Sequence, residues 1–346
     1  MRIYPVSADK LEKLRQTLRG YGSCLLAYSG GVDSVFLARV AHETLGKKFL
    51  AVIADSPSLP RRELADALAI AEKFSFPVRV IRTREFENAD YTANPANRCY
   101  FCKHELFEEL APIARAEGFA VIAYGENASD VGDFRPGAAA AAEFQVRAPL
   151  KEAGLTKAEI REWSAQFGLP TADKPQMACL SSRVPHGEAV TPEKLRMIEQ
   201  AENVLRDLGF HDVRVRHHEM RSAERGVGSG NASRIEPSIP SGPASVGAAQ
   251  RDVPATTKVH GMGHDEVREH SAHGTPHSTL ALARIELGAS EIPRFLSDGL
   301  TARVSAALKQ IGYTHVTLDL EGYRRGSLNE TSKSRSPFQT SRAKRE

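Results

Sequence analysis

The stretch that most constrains the fold is residues 24–34. Cys24-Leu25-Leu26-Ala27-Tyr28 is short and apolar at every position, as strands buried on both faces are. Ser29-Gly30-Gly31-Val32-Asp33-Ser34 follows at once, and a helix is expected over Val35–Leu45. Two glycines permit a tight turn and let a ligand approach the main chain. The helix N-terminus aims unpaired N–H groups and a positive dipole end at the same point, which suits phosphate. Ser29 and Ser34 add hydroxyls, and Asp33 can cap the helix or orient a magnesium ion. No Gly-Lys-Ser/Thr follows, so this is not the loop of enzymes that release a γ-phosphate. The plainer alternative is a capped strand-to-helix turn, but the position after a buried strand favours a phosphate site.

The surrounding pattern repeats this unit. Strands are expected at Phe49–Ala54, Pro77–Ile81 and Ala120–Tyr124, with helices at residues 9–20, Arg61–Phe74 and Lys103–Ala116. Such alternation implies an α/β fold with a parallel, doubly wound sheet, whose ligands sit at the carboxyl ends of the strands. We assign residues 1–148 to this nucleotide domain. Residues 149–325 form a smaller α+β C-terminal domain, with helices at Thr156–Phe167, Pro192–Leu208 and Pro293–Ile311. Its strands are Val213–Arg216, alternating as if half-exposed, Leu280–Leu287 and His315–Leu320. Between them, residues 219–279 are rich in Gly, Ser, Ala, Pro and His, and their few large apolar residues cannot offset the entropy of ordering. This segment is expected to be a disordered insertion, and residues 326–346 a disordered tail. The insertion carries His260, His264, His270, His273 and His277; spaced histidines there could bind a metal ion, but simple composition explains them better.

A chain of 346 residues is long enough for two domains, and a net charge of +3 gives no case for a nucleic-acid or membrane partner. The start has no secretory apolar core, and no apolar run reaches a membrane-spanning length. A cytoplasmic protein is expected, and its four cysteines then lean towards metal or redox chemistry rather than disulfides. Cys24 lies in the buried run and reads as core. Cys99 and Cys102 share one turn of Asn97-Arg98-Cys99-Tyr100-Phe101-Cys102-Lys103. Cys179 lies in Met177-Ala178-Cys179-Leu180-Ser181-Ser182-Arg183, where Arg183 would favour the thiolate. The three can be read as ligands of a cubane iron–sulfur cluster with one open iron, as a partial zinc site, as a redox pair beside a third thiol, or as one working cysteine, Cys179.

The Ser29–Ser34 loop resembles that of the ATP pyrophosphatase (PP-loop) superfamily, which cleaves ATP between its α- and β-phosphates. A closer resemblance rests on Asp55-Ser56-Pro57-Ser58-Leu59-Pro60-Arg61, Gly125-Glu126-Asn127-Ala128-Ser129-Asp130 with the residues to Gly137, Arg147-Ala148-Pro149-Leu150 and Ala178–Arg183. Together these resemble the ATP-dependent sacrificial sulfur transferases of the LarE family, over roughly residues 9–218 and 280–320. The resemblance implies adenylylation of a carboxylate of pyridinium-3,5-biscarboxylic acid mononucleotide and its conversion to a thiocarboxylate, in nickel-pincer nucleotide biosynthesis. It implies ATP and Mg2+ at Ser29, Gly30, Gly31, Val32, Asp33, Ser34 and Asp55, and catalytic roles for Cys179 and Lys103. It also implies substrate contacts from Ser182, Arg183, Glu202, Arg214 and Arg216. Members with three such cysteines hold a [4Fe-4S] cluster, here on Cys99, Cys102 and Cys179; homo-oligomers are expected. The stretch between the strands at 213–218 and 281–287 looks inserted relative to the family.

Two other functions compete. A PP-loop tRNA thiolase would need a basic RNA surface, which the charge does not supply. A nucleotide-binding adaptor without chemistry would keep the loop but would not need Cys179 beside Ser182 and Arg183.

Overall fold

The computed structural model of the chain describes residues 8–130, 136–175, 178–220, 280–297 and 299–324. The expected insertion (apart from Glu219 and Met220), the tail and the Val131–Arg135 part of the family motif therefore lie outside the described residues. The first elements are α1 (Ala8–Tyr21), β1 (Cys24–Ala27), α2 (Val32–Leu45), β2 (Phe49–Asp55), α3 (Arg61–Lys73) and β3 (Val78–Arg82). There follow α4 (Ala89–Thr92), α5 (Arg98–Glu117), β4 (Val121–Tyr124), α6 (Pro136–Glu143), α7 (Pro149–Glu152) and α8 (Lys157–Gln166). The four strands form one parallel sheet in the order β3-β2-β1-β4.

The unbroken apolar run of β1 has a direct cause. Cys24 and Leu26 join a core with Leu14 and Leu18 of α1 and Phe36 of α2. Leu25 and Ala27 join an opposite core with Phe107 and Leu110 of α5 and Ala140 of α6. Helices cover both faces, so no position of β1 is left to water. After β1 the chain moves outward through β2 to β3, then returns to place β4 on the other side of β1. The order therefore switches beside β1, where a crevice opens at the carboxyl ends of the strands.

The later elements are α9 (Pro192–Asp207), β5 (Val213–Met220), β6 (Leu280–Leu287), α10 (Ile292–Phe295), α11 (Leu300–Ile311) and β7 (His315–Leu318). β5 and β6 pair antiparallel from Val213–Leu287 to Met220–Leu280, and β6 pairs parallel with β7. The strands expected to be contiguous are thus direct neighbours in one mixed sheet. Val213, Val215, Ala283 and Ile285 pack on Leu205 of α9 and on Val304 and Leu308 of α11. The single helix expected over Pro293–Ile311 is two helices. Gly299, at φ 68°, stands between them in a left-handed conformation that interrupts a helix. β5 is not half-exposed either: Val213 to His217 are all buried. No helix among the described residues is long and apolar enough to cross a membrane.

His217 faces the second core, 3% exposed, with Nδ1 3.4 Å from the Tyr313 hydroxyl. Burial, and then the nearby Lys194 ammonium, hold its imidazole down at about 4, against 6.5 in an unstructured chain. The folded protein therefore binds fewer protons than the unfolded chain below pH 6.5. Stability present above that pH is lost as the pH falls towards about 4, and nothing more is lost below it. The expected loss across this window is about 2–3 kcal/mol. Urea midpoints measured near pH 7 and near pH 4.5 should show it, and His217→Phe should flatten it. An unchanged pH dependence in that variant would assign the acid sensitivity to other groups.

Candidate active site

The Ser29–Ser34 loop leaves β1 and enters α2, which begins at Val32, three residues before the expected start, so that Asp33 and Ser34 lie in its first turn. Gly30 has φ 69°, and a Cβ there would stand 2.7 Å from the Ala67 Cβ of α3. Only glycine satisfies both conditions. Across the crevice Gly125, after β4, lies so close that a Cβ would be 3.1 Å from the Ser34 backbone nitrogen. Ser34 Oγ donates to the Gly31 carbonyl at 3.1 Å and stands 3.0 Å from Ser29 Oγ. Gly31 caps α2 in an extended conformation without any side-chain bond at the cap. The first N–H groups of the helix thus meet the loop without a cap side chain bonded to them.

A cavity of about 350 Å³ opens here, at the switch between β1 and β4. Ser29, Gly31, Asp33 and Ser34 line it together with Lys103, Cys99 and Glu126. The carboxylates carry cations: Asp33 accepts from Lys157 Nζ at 2.6 Å and Glu126 from Lys151 Nζ at 3.0 Å. Since Asp33 already holds a cation at the loop, Asp33 with the Ser34 hydroxyl is a donor set that fits Mg2+. Asp55, at the carboxyl end of β2, is paired with Arg61, whose Nη2 also donates to the Ser56 and Leu59 carbonyls. Val32 is buried under the loop in the core.

Cys99 and Cys102 lie on the first turn of α5, which starts five residues earlier than expected, so both are helical. Cys99 is exposed and Cys102 half-buried. Their thiols are nonetheless held up, Cys102 to about 12, by lost hydration first and then by the nearby Cys179 sulfur. The cleft is open at its mouth but protein surrounds most of each sulfur. Cys179 is exposed on the segment that leads into a short 3-10 turn, Leu180–Arg183. Arg183 Nη1 and Ser182 Oγ each donate to the Cys179 carbonyl at 2.8 Å. The three sulfurs influence one another, yet among the described residues no group of three or more Cys, His, Asp or Glu stands at spacing for a metal ion. The expected ligands come from two elements: Cys99 and Cys102 ride on α5 and Cys179 on a separate turn. Met177, beside Cys179, lies outside the described residues.

The expected phosphate-gripping residues are more buried than their type suggests. Arg183, fully buried, donates from Nε to Glu202 at 2.8 Å and from Nη1 to the Ala178 carbonyl at 2.5 Å. It shapes the Cys179 segment from below, so its contact in this structure is with the protein. Glu202 is held below the usual carboxylate range: burial opposes this, and the guanidiniums of Arg183, Arg206 and Arg214 overcome it. Arg214 and Arg216 do share one face of β5. Arg216 pairs with Glu286 at 2.9 Å and donates to the Ser182 carbonyl at 2.8 Å. Arg214 lies 4.8 Å from the Tyr323 ring centre, and burial, then the Arg183 charge, depress its pKa. Five guanidiniums (Arg183, Arg206, Arg214, Arg216, Arg284) thus gather around Glu202 and Glu286, an arrangement suited to an anion. Sequence reading missed Lys157, Lys151, Tyr91 and Asn94, which contact the site from elsewhere in the chain and match no local motif.

Comparison with known proteins agrees with this geometry. Residues 7–103, which contain the loop and reach Lys103, match the family model described as NAD synthase. An uncharacterized protein of Synechocystis sp. is 38% identical over 93% of this chain and 97% of its own length. The pyridinium-3,5-bisthiocarboxylic acid mononucleotide synthase of Lactiplantibacillus plantarum is 27% identical over 94% of this chain and 95% of its own. The chain belongs to the LarE family. A glutamine-hydrolyzing GMP synthase chain of Methanopyrus kandleri is 25% identical over 58% of this chain and 67% of its own length. That overlap reflects the PP-loop fold shared beyond the LarE family. Membership makes the chain an ATP-dependent enzyme of the PP-loop class.

Proposed function

We propose that this chain is an ATP-dependent sulfur transferase that adenylylates a carboxylate of pyridinium-3,5-biscarboxylic acid mononucleotide and converts it to a thiocarboxylate, a step in building the nickel-pincer nucleotide. It acts on this small molecule, without nucleic acid or membrane, as a cytoplasmic homo-oligomer. The observation that supports this most is the composition of one cavity: the loop residues Ser29, Gly31, Asp33 and Ser34 share it with Lys103 and with Cys99, whose thiol feels the Cys179 sulfur. Residues 1–148 supply the nucleotide half of the reaction and residues 149–325 the substrate half.

A carboxylate is a poor electrophile. Attack of its oxygen on the α-phosphorus expels pyrophosphate and gives an acyl-adenylate with AMP as a good leaving group. The N-terminus of α2 and the loop hydroxyls receive the phosphates, and Lys103 meets the charge that develops at the α-phosphorus. Mg2+, held by Asp33 and Ser34, would supply neutralisation of the phosphate charge. The Cys179 thiolate then attacks the acyl carbon, and AMP leaves with its electron pair to give a thioester. A general base takes the Cys179 α-proton. The electron pair left on Cα forms the Cα=Cβ double bond as the Cβ–S bond breaks with its electrons on sulfur. The thiocarboxylate departs with the sulfur, and dehydroalanine remains. Arg214 and Arg216 hold the substrate phosphate, and Arg183 with Glu202 fixes the turn that bears Cys179 and Ser182.

ATP–pyrophosphate exchange tests the first half. Exchange should require the biscarboxylate mononucleotide; exchange driven by tRNA instead would overturn the assignment. Arg214→Ala should raise the KM of the mononucleotide about ten- to a hundredfold, the worth of one charge-assisted contact. The KM of ATP should stay within about twofold, since the phosphate it grips belongs to the other substrate. Equal losses for both would move Arg214 to the scaffold.

A further inference from the structure

Three buried hydroxyls close a triangle beneath the Cys179 segment. Ser58 Oγ stands 2.5 Å from Tyr91 Oη and 2.9 Å from Ser181 Oγ, and Tyr91 Oη stands 2.9 Å from Ser181 Oγ. All three residues are buried: Ser58 5%, Tyr91 1% and Ser181 0% exposed. Each hydroxyl has one proton, so three protons can serve the three edges in a ring. The members come from the loop after β2, from α4 and from the 3-10 turn after Cys179. No sequence motif joins them.

The triangle belongs to a wider clamp on Ser181. Leu180 N donates to the Ser58 carbonyl at 2.9 Å, and Arg98 Nη1 donates to the Ser181 carbonyl at 3.0 Å. Arg98 also bonds Asn94, whose amide donates to the Pro185 carbonyl at 2.7 Å and the Glu188 carbonyl at 3.0 Å. The main chain after Cys179 is therefore fixed at several points, while the Cys179 side chain stays exposed. Packing alone does not call for the phenol. The Tyr91 ring meets Phe86 edge-on at 5.2 Å, and a phenylalanine would fill the same space. A buried hydroxyl costs free energy unless bonded, so its presence points to what it bonds. Burial first, then the Cys179 and Cys102 sulfurs, push the Tyr91 pKa up, so the phenol lies near both thiols and stays protonated.

We propose that Tyr91 is a positioning residue for sulfur transfer, holding the Cys179 thiol in place through Ser181 and Ser58. It touches no reacting atom. This role rests on the assignment of Cys179 as the sulfur-bearing group, and its test can be read without that chemistry. Tyr91→Phe keeps the ring and breaks the triangle; Ser181→Ala breaks it from the other side.

The experiment follows iodoacetamide labelling of each cysteine in the full chain by peptide mass spectrometry. Each variant removes two of the triangle's three edges, so in both Cys179 labelling should accelerate at least about fivefold, while Cys99 labelling stays within about twofold of wild type. Sulfur transfer should fall about tenfold in turnover, with the KM of ATP unchanged. Cys179 labelling at the wild-type rate in both variants would overturn the proposal. So would an equal rise at all three thiols, which marks general loosening. If the wild-type protein transfers no sulfur, the functional assignment fails, and the labelling ratio still decides the role of Tyr91.

Discussion

Gly30→Ala and Gly31→Ala should both reduce ATP–pyrophosphate exchange by more than about a hundredfold, for different physical reasons. At Gly30 the cause is internal. The residue sits at φ 69°, and a methyl group would stand 2.7 Å from the Ala67 Cβ, so the loop must leave its place over α2. The variant should also lose about 1–3 kcal/mol of stability, from the left-handed backbone and the clash. At Gly31 the protein has room: φ is −82°, and the nearest atom to an added Cβ is Ser29 Oγ at 3.5 Å. A methyl there intrudes only on a ligand brought against the helix N-terminus. Stability of Gly31→Ala should therefore stay within about 0.5 kcal/mol of wild type while exchange collapses. Wild-type exchange in Gly31→Ala would show that no phosphate approaches the main chain at this point, and the loop would revert to a capped turn.

The difference between these glycines marks what the sequence could and could not convey. The loop was legible because local rules combine there: an apolar strand, two glycines and a helix start leave few arrangements. The same locality made β1, β2 and α3 readable to within about a residue. Where local and tertiary forces compete, the reading slipped. α5 was expected from Lys103 but starts at Arg98, because that arginine is buried and tied to Asn94 and the Ser181 carbonyl. Such contacts span 83 residues for Arg98 to Ser181, and no periodicity signals them. Arg214 and Arg216 alternate with valines as on a half-exposed strand, yet β5 is buried on both faces from Val213 to His217 because guanidiniums and carboxylates satisfy one another on one of them. Alternation reports which face is polar; it does not report whether that face is wet.

The cysteines carry the prediction with the largest effect. Two thiols on one turn and a third elsewhere can be read as a shared cluster or as one working cysteine beside two others. Cys99 and Cys102 lie on α5 and Cys179 on its own turn, near enough for the sulfurs to influence one another. On the sacrificial scheme proposed above, Cys179→Ala should retain mononucleotide-dependent pyrophosphate exchange within a few-fold, because the first chemical step needs no thiol, and should form no thiocarboxylate. Cys99→Ala and Cys102→Ala should leave the first turnover within a few-fold of wild type. The spent wild-type protein should be about 34 Da lighter, the mass of hydrogen sulfide, as Cys179 becomes dehydroalanine by cleavage of its Cβ–S bond. Intact-mass spectrometry after anaerobic turnover, with an iron and labile-sulfide assay on the same sample, reads both outcomes. Stoichiometric iron that disappears in each of the three single variants, together with repeated turnover at unchanged protein mass, would defeat this scheme. It would mean that the turn bearing Cys179 moves towards α5 to complete a cluster. The loss of mass, by contrast, would fix Cys179 as the sulfur itself and leave Cys99, in the cavity wall, and Cys102 as structural residues or zinc ligands.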